Sequence, residues 1–370
     1  MNTRKDGKMR IKSLLTLFGL CVALPVIAQP THHGGTKKLI EFGWDEPNTA
    51  YLKAHIADME RMPFDGVVLD AEYTDPQNKI QNLSQDDFGK DEIPWNSLKT
   101  ALNNLRQTRF KRFTDNFLRF NTIPGSIDWF DDFSPILHNA EIAARFCKQS
   151  HLKGILFDEE PYGFPIFNYS KQKYRDQHTF EQYEAQARLR GQEIMRAFQK
   201  GYPNLTIFLA FGYSAAGDPK YWQNAGYGLL PAFLDGIIQG AKGKTIIVDG
   251  YEMSYPGRTA ADFNGYYENI KVRNRELCTN PEKYQKYVSA GFGIWMDLNW
   301  NHTGWHTNNL SLNARTPADL QETLVNALTC SDRYVWLYSE QPRWFPPTRL
   351  PNAYIDAVIA ARKQEGMSNP

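Results

Sequence analysis

Hydrophobic and polar positions alternate in blocks along this chain. Short apolar runs recur at Leu39–Gly43, Gly66–Leu69, Asn116–Phe120, Gly154–Phe157, Leu205–Phe211, Thr245–Val248, Gly291–Met296 and Tyr334–Tyr338. Each is too short for a globular helix and apolar on both faces, the signature of a strand buried on both sides. Segments with helical spacing follow them: Thr49–Arg61, Trp95–Gln107, Asn139–Ser150, Phe180–Lys200, Tyr227–Gly240, Ala260–Leu277, Pro317–Thr329 and Asn352–Gln364. Their ends carry helix signals. Thr316-Pro317-Ala318-Asp319 sets a cap residue ahead of a proline at the first helical position. Thr179-Phe180-Glu181-Gln182 has the reciprocal spacing of a capping box.

Eight strands, each followed by a helix, predict an α/β fold of the (β/α)8 TIM-barrel class, and 370 residues suit its usual size of roughly 250 to over 400. Strands joined through helices run parallel. An open doubly wound sheet is the rival arrangement, but it wants a glycine-rich phosphate turn after the first strand, where this chain has Gly43-Trp44-Asp45-Glu46-Pro47. The expected organisation is a single catalytic barrel over 29–370, preceded by a leader over 1–28.

That leader has Arg4, Lys5, Lys8, Arg10 and Lys12 ahead of an uncharged, mainly apolar stretch, Ser13 to Ala28, closing on Val26-Ile27-Ala28. The stretch falls short of the roughly 20 residues that span a bilayer. It predicts a secretory signal peptide cut before Gln29, a periplasmic or secreted protein, and no membrane span. Cys21 offers lipidation as an alternative, although Leu20 stands where a small residue is wanted. The remaining Cys147, Cys278 and Cys330 allow at most one internal disulfide. With 42 basic and 41 acidic residues the net charge is +1, which argues against a nucleic-acid partner.

In a (β/α)8 barrel the chemistry sits at the C-terminal ends of the strands. Those positions are acidic here: Glu41 within the first run and Asp45-Glu46 after it, Asp70 and Glu72 after the second, and Asp158-Glu159-Glu160 after the fourth. Asp249 and Glu252 follow the sixth run, Asp297 the seventh and Glu340 the eighth. The second and fourth runs share one pattern: Gly, three apolar residues, Asp, any residue, Glu. Strand period 2 puts Asp70 with Glu72, and Asp158 with Glu160, on common faces. Any one carboxylate reads as a cap or a loop ion pair. A ring of them is costly to ionise together unless a ligand uses it.

Paired carboxyls around a cleft suit glycosidic cleavage, in which one protonates the leaving oxygen and the other acts as nucleophile or base. Aromatic residues strengthen a carbohydrate partner. Trp44, Tyr73, Trp129, Tyr162, Tyr213, Tyr255, Trp300, Trp305 and Trp344 all fall in or beside the loops that follow the strands. Flat apolar rings of this kind pack on sugar faces.

The segment Gly154-Ile-Leu-Phe-Asp-Glu-Glu-Pro-Tyr-Gly163 is similar to the fourth-strand motif of chitinase-type hydrolases, and the chain as a whole resembles secreted bacterial (β/α)8-barrel glycoside hydrolases. That resemblance implies Glu160 as proton donor and Asp158 as its assisting acid. Met253-Ser254-Tyr255 and Trp336 are similar to aromatic and tyrosine positions of the same barrels. Two departures limit the likeness to glycosidase rather than chitin: Leu156 replaces the first motif Asp, and the third-strand motif is missing. Acids on the fourth and sixth strands also resemble barrel α-galactosidases, which implies Glu252 as the partner carboxyl, with Asp297 and Glu340 as substitutes. Trp44, Asp70, Glu72, Tyr213, Tyr255, Asp297, Trp300, Trp336 and Glu340 are the expected sugar-binding set.

Metal catalysis is disfavoured, because the eight histidines are scattered. No cofactor is called for, although a carboxylate ring is chemically able to hold calcium through oxygen. The alternative from another class is a non-catalytic carbohydrate-binding barrel that keeps the cleft.

Overall fold

A computed structural model describes residues 29–370; the leader and its cleavage site lie outside the described residues. Nine parallel strand segments form one sheet: β1 (Lys38–Gly43), β2 (Gly66–Leu69), β3 (Phe117–Asn121), β4 (Gly154–Asp158), β5 (Thr206–Leu209), β6 (Ile246–Asp249), β7 (Val288–Ala290), β8 (Phe292–Trp295) and β9 (Tyr334–Ser339). Neighbours run β8-β9-β1-β2-β3-β4-β5-β6-β7. The two outer segments are consecutive in the chain, separated by Gly291 alone. β7 pairs with β6 (Asp249 with Ala290), and β8 pairs with β9 (Trp295 with Tyr338). The expected seventh strand, Gly291–Met296, is thus the second half of a longer one that begins at Val288 and is divided between two neighbours, and the sheet closes through Gly291 into a (β/α)8 barrel. A side chain at Gly291 would press on the Tyr334 carbonyl at 3.0 Å and on Val248 at 2.9 Å, so the closure point needs glycine.

Helices follow as the periodicity predicts: Thr49–Met59, Lys99–Gln107, Ser134–Gln149, Phe180–Gly201, Leu230–Gly240, Ala260–Glu268, Pro317–Cys330 and Asn352–Gln364. Both predicted starts are observed. Thr179 and Gln182 form a reciprocal capping box, and Thr316 caps the helix whose first residue is Pro317. The glycine that opens the shared strand pattern also has a cause. A Cβ at Gly66 would lie 1.9 Å from the Asp115 carbonyl oxygen, and one at Gly154 would lie 1.8 Å from that of Thr206.

The barrel interior is filled from the bottom upward. Phe117, Phe208 and Tyr334 meet with ring centroids 5.5–5.7 Å apart, and Val68, Leu156 and Val248 pack with them in the same cluster. Trp336 lies 5.6 Å from Phe42 and 5.4 Å from Tyr255, and donates its indole N–H to the Gly250 carbonyl. That plug fills the lower interior, and the mouth above it is open. Cys147, Cys278 and Cys330 are buried free thiols. Among the described residues no helix is long and apolar enough to cross a membrane, and no group of three or more His, Cys, Asp or Glu side chains is arranged to hold a metal ion.

Candidate active site

A cavity of about 640 Å³ opens at the C-terminal ends of the strands. Its polar lining is Glu46, Gln85, Arg119, Asp158, Glu160, Glu252 and Glu340; its rings are Phe42, Trp44, Tyr162, Tyr255, Trp295, Trp300 and Tyr338.

Arg119 organises one wall. It lies on the inward face of β3, two residues past Phe117, and its guanidinium bonds Glu46 at 3.0 Å and Asp158 at 2.7 Å. Phe42 and Tyr162 flank it at 5.5 and 5.8 Å. Sharing one cation between two buried acids leaves each only partly compensated. Burial outweighs the Arg119 attraction at Glu46 and pushes that carboxyl up to about 8. Asp158 is pinned further by the Asn121 side-chain amide at 3.0 Å, and its other oxygen accepts the Glu160 backbone N–H at 3.1 Å. Asp158 thereby fixes the chain turn that presents Glu160.

Glu252 arrives from β6 through a strained turn. Tyr251 adopts a left-handed conformation (φ 42°), a state that costs a non-glycine residue about 1–3 kcal/mol unless its surroundings enforce it. They do: the Tyr251 N–H donates to Asp249, its hydroxyl accepts from Asn269, and its carbonyl accepts from the Ser254 hydroxyl. Glu252 is then aimed into the cavity, and its side chain has no protein hydrogen-bond partner among the described residues.

The two carboxyls differ electrostatically. Burial raises Glu160, and the Asp158 charge adds to this, while the Tyr162 hydroxyl and Arg119 oppose it. Glu252 is raised well above the usual carboxylate range, first by burial and then by Asp158 and Glu160, with no cation or donor opposing. Burial therefore favours the neutral form at both carboxyls, and at Glu252 no cation or donor works against it.

Opposite this pair stands an aromatic wall. Trp44 donates its indole N–H to the Tyr338 hydroxyl at 2.7 Å, and Tyr338 stacks on Tyr255 at 5.6 Å. Trp295 is 5.8 Å from Tyr338 and 6.0 Å from Trp300. Trp44 and Trp300 remain 69% and 59% exposed at the rim of the cavity.

Of the expected set, Asp158, Glu160, Glu252, Trp44, Tyr255, Trp300 and Glu340 meet at this cavity. Five others are turned to different work. Asp70 is buried behind Glu46, accepting from the Ala71 N–H and from the backbone and hydroxyl of Ser84. Glu72 accepts from the Thr49 hydroxyl. Tyr213 points into the helix layer, where its hydroxyl donates to Asp235 at 2.6 Å. Asp297 is fully buried and caps the Glu340 and Gln341 N–H groups. Trp336 forms the floor below the cavity. The loop aromatics Tyr73, Trp129, Trp305 and Trp344 are buried as packing. Glu159 also faces away, binding the Ala210 and Phe211 N–H groups.

Arg119, Tyr338 and Trp295 were missed by sequence reasoning. The signal for Arg119 was its own oddity, a charge inside the apolar run Asn116–Phe120. Tyr338 was signalled by strand period, one inward position above Trp336.

No family model matches the chain, and no curated protein matches it. Among solved structures, it is similar to the 3-keto-D-glucoside 4-epimerase YcjR from E. coli at 12% identity and a TM-score of 0.44, covering 89% of this chain and all of that one. It is similar to a GH5-4 broad specificity endoglucanase from an uncultured bacterium at 11% identity and a TM-score of 0.44, covering 86% of each chain. It is also similar to AbfB, a family 51 α-L-arabinofuranosidase from Bifidobacterium longum, at 10% identity and a TM-score of 0.40, covering 90% of this chain and 74% of that one. At these values the likeness concerns the course of the chain alone, and the chemistry of the site rests on its own geometry.

Proposed function

We propose that this protein is an exported glycoside hydrolase that cleaves a glycosidic bond in an oligo- or polysaccharide with Glu252 and Glu160 as its two carboxyls. The observation that carries the reading is the pair itself: two carboxyls, from β6 and β4, line one aromatic-walled cavity. Glycosidic cleavage uses such a pair with one acid neutral and the other ionised.

The roles follow from the surroundings. Glu252, with nothing to stabilise its anion, holds the proton and delivers it to the departing oxygen. Glu160, steadied by Arg119 and the Tyr162 hydroxyl, is the carboxylate that attacks the anomeric carbon or activates water. This reverses the order expected from the chitinase-like motif, in which Asp158 keeps Glu160 protonated. The physical reason is that the Tyr162 hydroxyl and Arg119 oppose the rise at Glu160, whereas nothing opposes it at Glu252. Asp158 is then a positioning residue for Glu160. The aromatic wall supplies sugar-stacking surface, and no cofactor enters any step.

Release of reducing ends from a panel of glycans tests the reading. Hydrolysis of at least one glycan, lost in Glu252→Gln and in Glu160→Gln, is the expected result. Binding of the same glycans with no turnover would instead mean a carbohydrate-binding barrel.

A further inference from the structure

We propose that Tyr251 and Asn269 are positioning residues for Glu252: Asn269, at the head of a π-helical turn in the helix after β6, clamps Tyr251 so that the Glu252 carboxyl meets the departing oxygen; this rests on the glycosidase reading. The first ground is the residue in the turn. Tyr251 holds a left-handed backbone (φ 42°) that glycine adopts without strain, yet the position carries a tyrosine only 4% exposed. That side chain docks on the helix rather than in the cavity. Its ring packs on Tyr266 at 5.3 Å, and its hydroxyl accepts from the Asn269 side-chain amide at 2.9 Å. The strain is kept because the side chain is the anchor.

The second ground is the helix. Beyond Glu268 it widens into the π-helical turn Asn269–Arg273, and Asn274–Leu277 resumes the regular winding. The Asn274 N–H donates to the Asn269 carbonyl, five residues back. Residues five apart stand about 140° apart around a regular helix, and a π turn brings them towards one side. Both asparagines accordingly reach the loops above the strands. Asn269 bonds Tyr251, and buried Asn274 accepts from the Ser214 hydroxyl after β5 at 3.3 Å. Such turns are rare and gather at functional sites. The third ground is Glu252 itself. Its carboxyl has no protein partner, so its backbone alone sets its direction, through the N–H bond to the Ala210 carbonyl at 3.0 Å and through Tyr251. A general acid works only within hydrogen-bond reach of the departing oxygen, and a misplacement of about 1 Å costs up to about 100-fold.

Steady-state kinetics of Tyr251→Phe, Asn269→Ala and the double variant test the inference, on an oligosaccharide cleaved in the glycan panel and on the dinitrophenyl glycoside of its terminal sugar. Each single variant should lower kcat about 10-fold on the oligosaccharide with KM unchanged, and less than about 2-fold on the dinitrophenyl glycoside, whose leaving group needs no proton. The double variant should lose no more than either single one, because both remove the same bond. Asn269→Asp, which can accept from the Tyr251 hydroxyl, should stay near the unsubstituted rate. If Tyr251→Phe does not fold, Asn269→Ala, at a half-buried helical position, decides alone. Full activity of the single variants, equal losses on the two substrates, or losses that multiply in the double variant overturn the inference. If these variants are unimpaired while Glu252→Gln is inactive on the oligosaccharide, this inference alone falls. If no glycan is cleaved, or Glu252→Gln keeps full activity, the glycosidase reading falls and this inference with it.

Discussion

Replacing Arg119 by Met should make stability sharply dependent on pH. The guanidinium is 17% exposed and pairs with Glu46, 13% exposed, and Asp158, 2% exposed. Removing one member of a buried ion pair costs about 3–5 kcal/mol, because the partner charge is stranded. Methionine replaces much of the volume, so the loss is electrostatic rather than a cavity effect. Glu46 supplies the pH dependence. Its folded pKa of about 8 stands above its ordinary 4.5, so its contribution is fully present below about 4.5 and is lost as pH rises through about 8. Without Arg119 the attraction that opposes burial at Glu46 is gone, so that carboxyl is pushed higher still and takes up a proton in acid, which relieves its stranded charge. Denaturant unfolding of both proteins at about pH 8 and pH 5 should therefore give a deficit of about 3–5 kcal/mol at the higher pH and less than half of that at the lower. A deficit below about 1 kcal/mol, or one equal at both pH values, would refute the account of this wall.

Three further outcomes are expected. Tyr213→Phe should lower stability by about 1–2 kcal/mol while leaving kcat/KM unchanged, since its hydroxyl serves Asp235 in the helix layer; a large drop in kcat/KM would return Tyr213 to the site. Gly154→Ala should destabilise by about 1–3 kcal/mol or more, measured by thermal unfolding, because the added Cβ meets a backbone oxygen; a neutral result would mean that β4 and β5 can part there. Mass spectrometry of the exported protein should show a mature chain beginning at Gln29, and an intact Met1 would exclude the cleaved leader.

The barrel was legible because its signals are local. Apolar runs, helical spacing and caps such as Thr179 and Thr316 each act within a few residues; the two caps stand where they were read, while the helix expected from Asn139 begins at Ser134. Closure through Gly291 was not legible, since pairing one half of a strand with β6 and the other with β9 depends on the whole ring. At the site, sequence gave height but not direction. Glu160, Glu252, Asp297 and Tyr213 all follow strand ends, yet the turn at Tyr251 swings Glu252 inward while Tyr213 turns outward to Asp235. The electrostatic contrast between Glu160 and Glu252 was also hidden, because it depends on Tyr162 and Arg119, which oppose the rise at Glu160 and have no counterpart at Glu252.

The most direct test of the catalytic pair compares Glu252→Gln and Glu160→Gln on a natural glycoside and on one whose leaving group needs no proton. Removal of a general acid costs about 10²- to 10⁴-fold, so Glu252→Gln should lose that much on the natural glycoside and recover most of it on the activated one. Glu160→Gln should be poor on both. Full activity of either variant on the natural glycoside would contradict the pair, and recovery by Glu160→Gln instead would reverse the two roles.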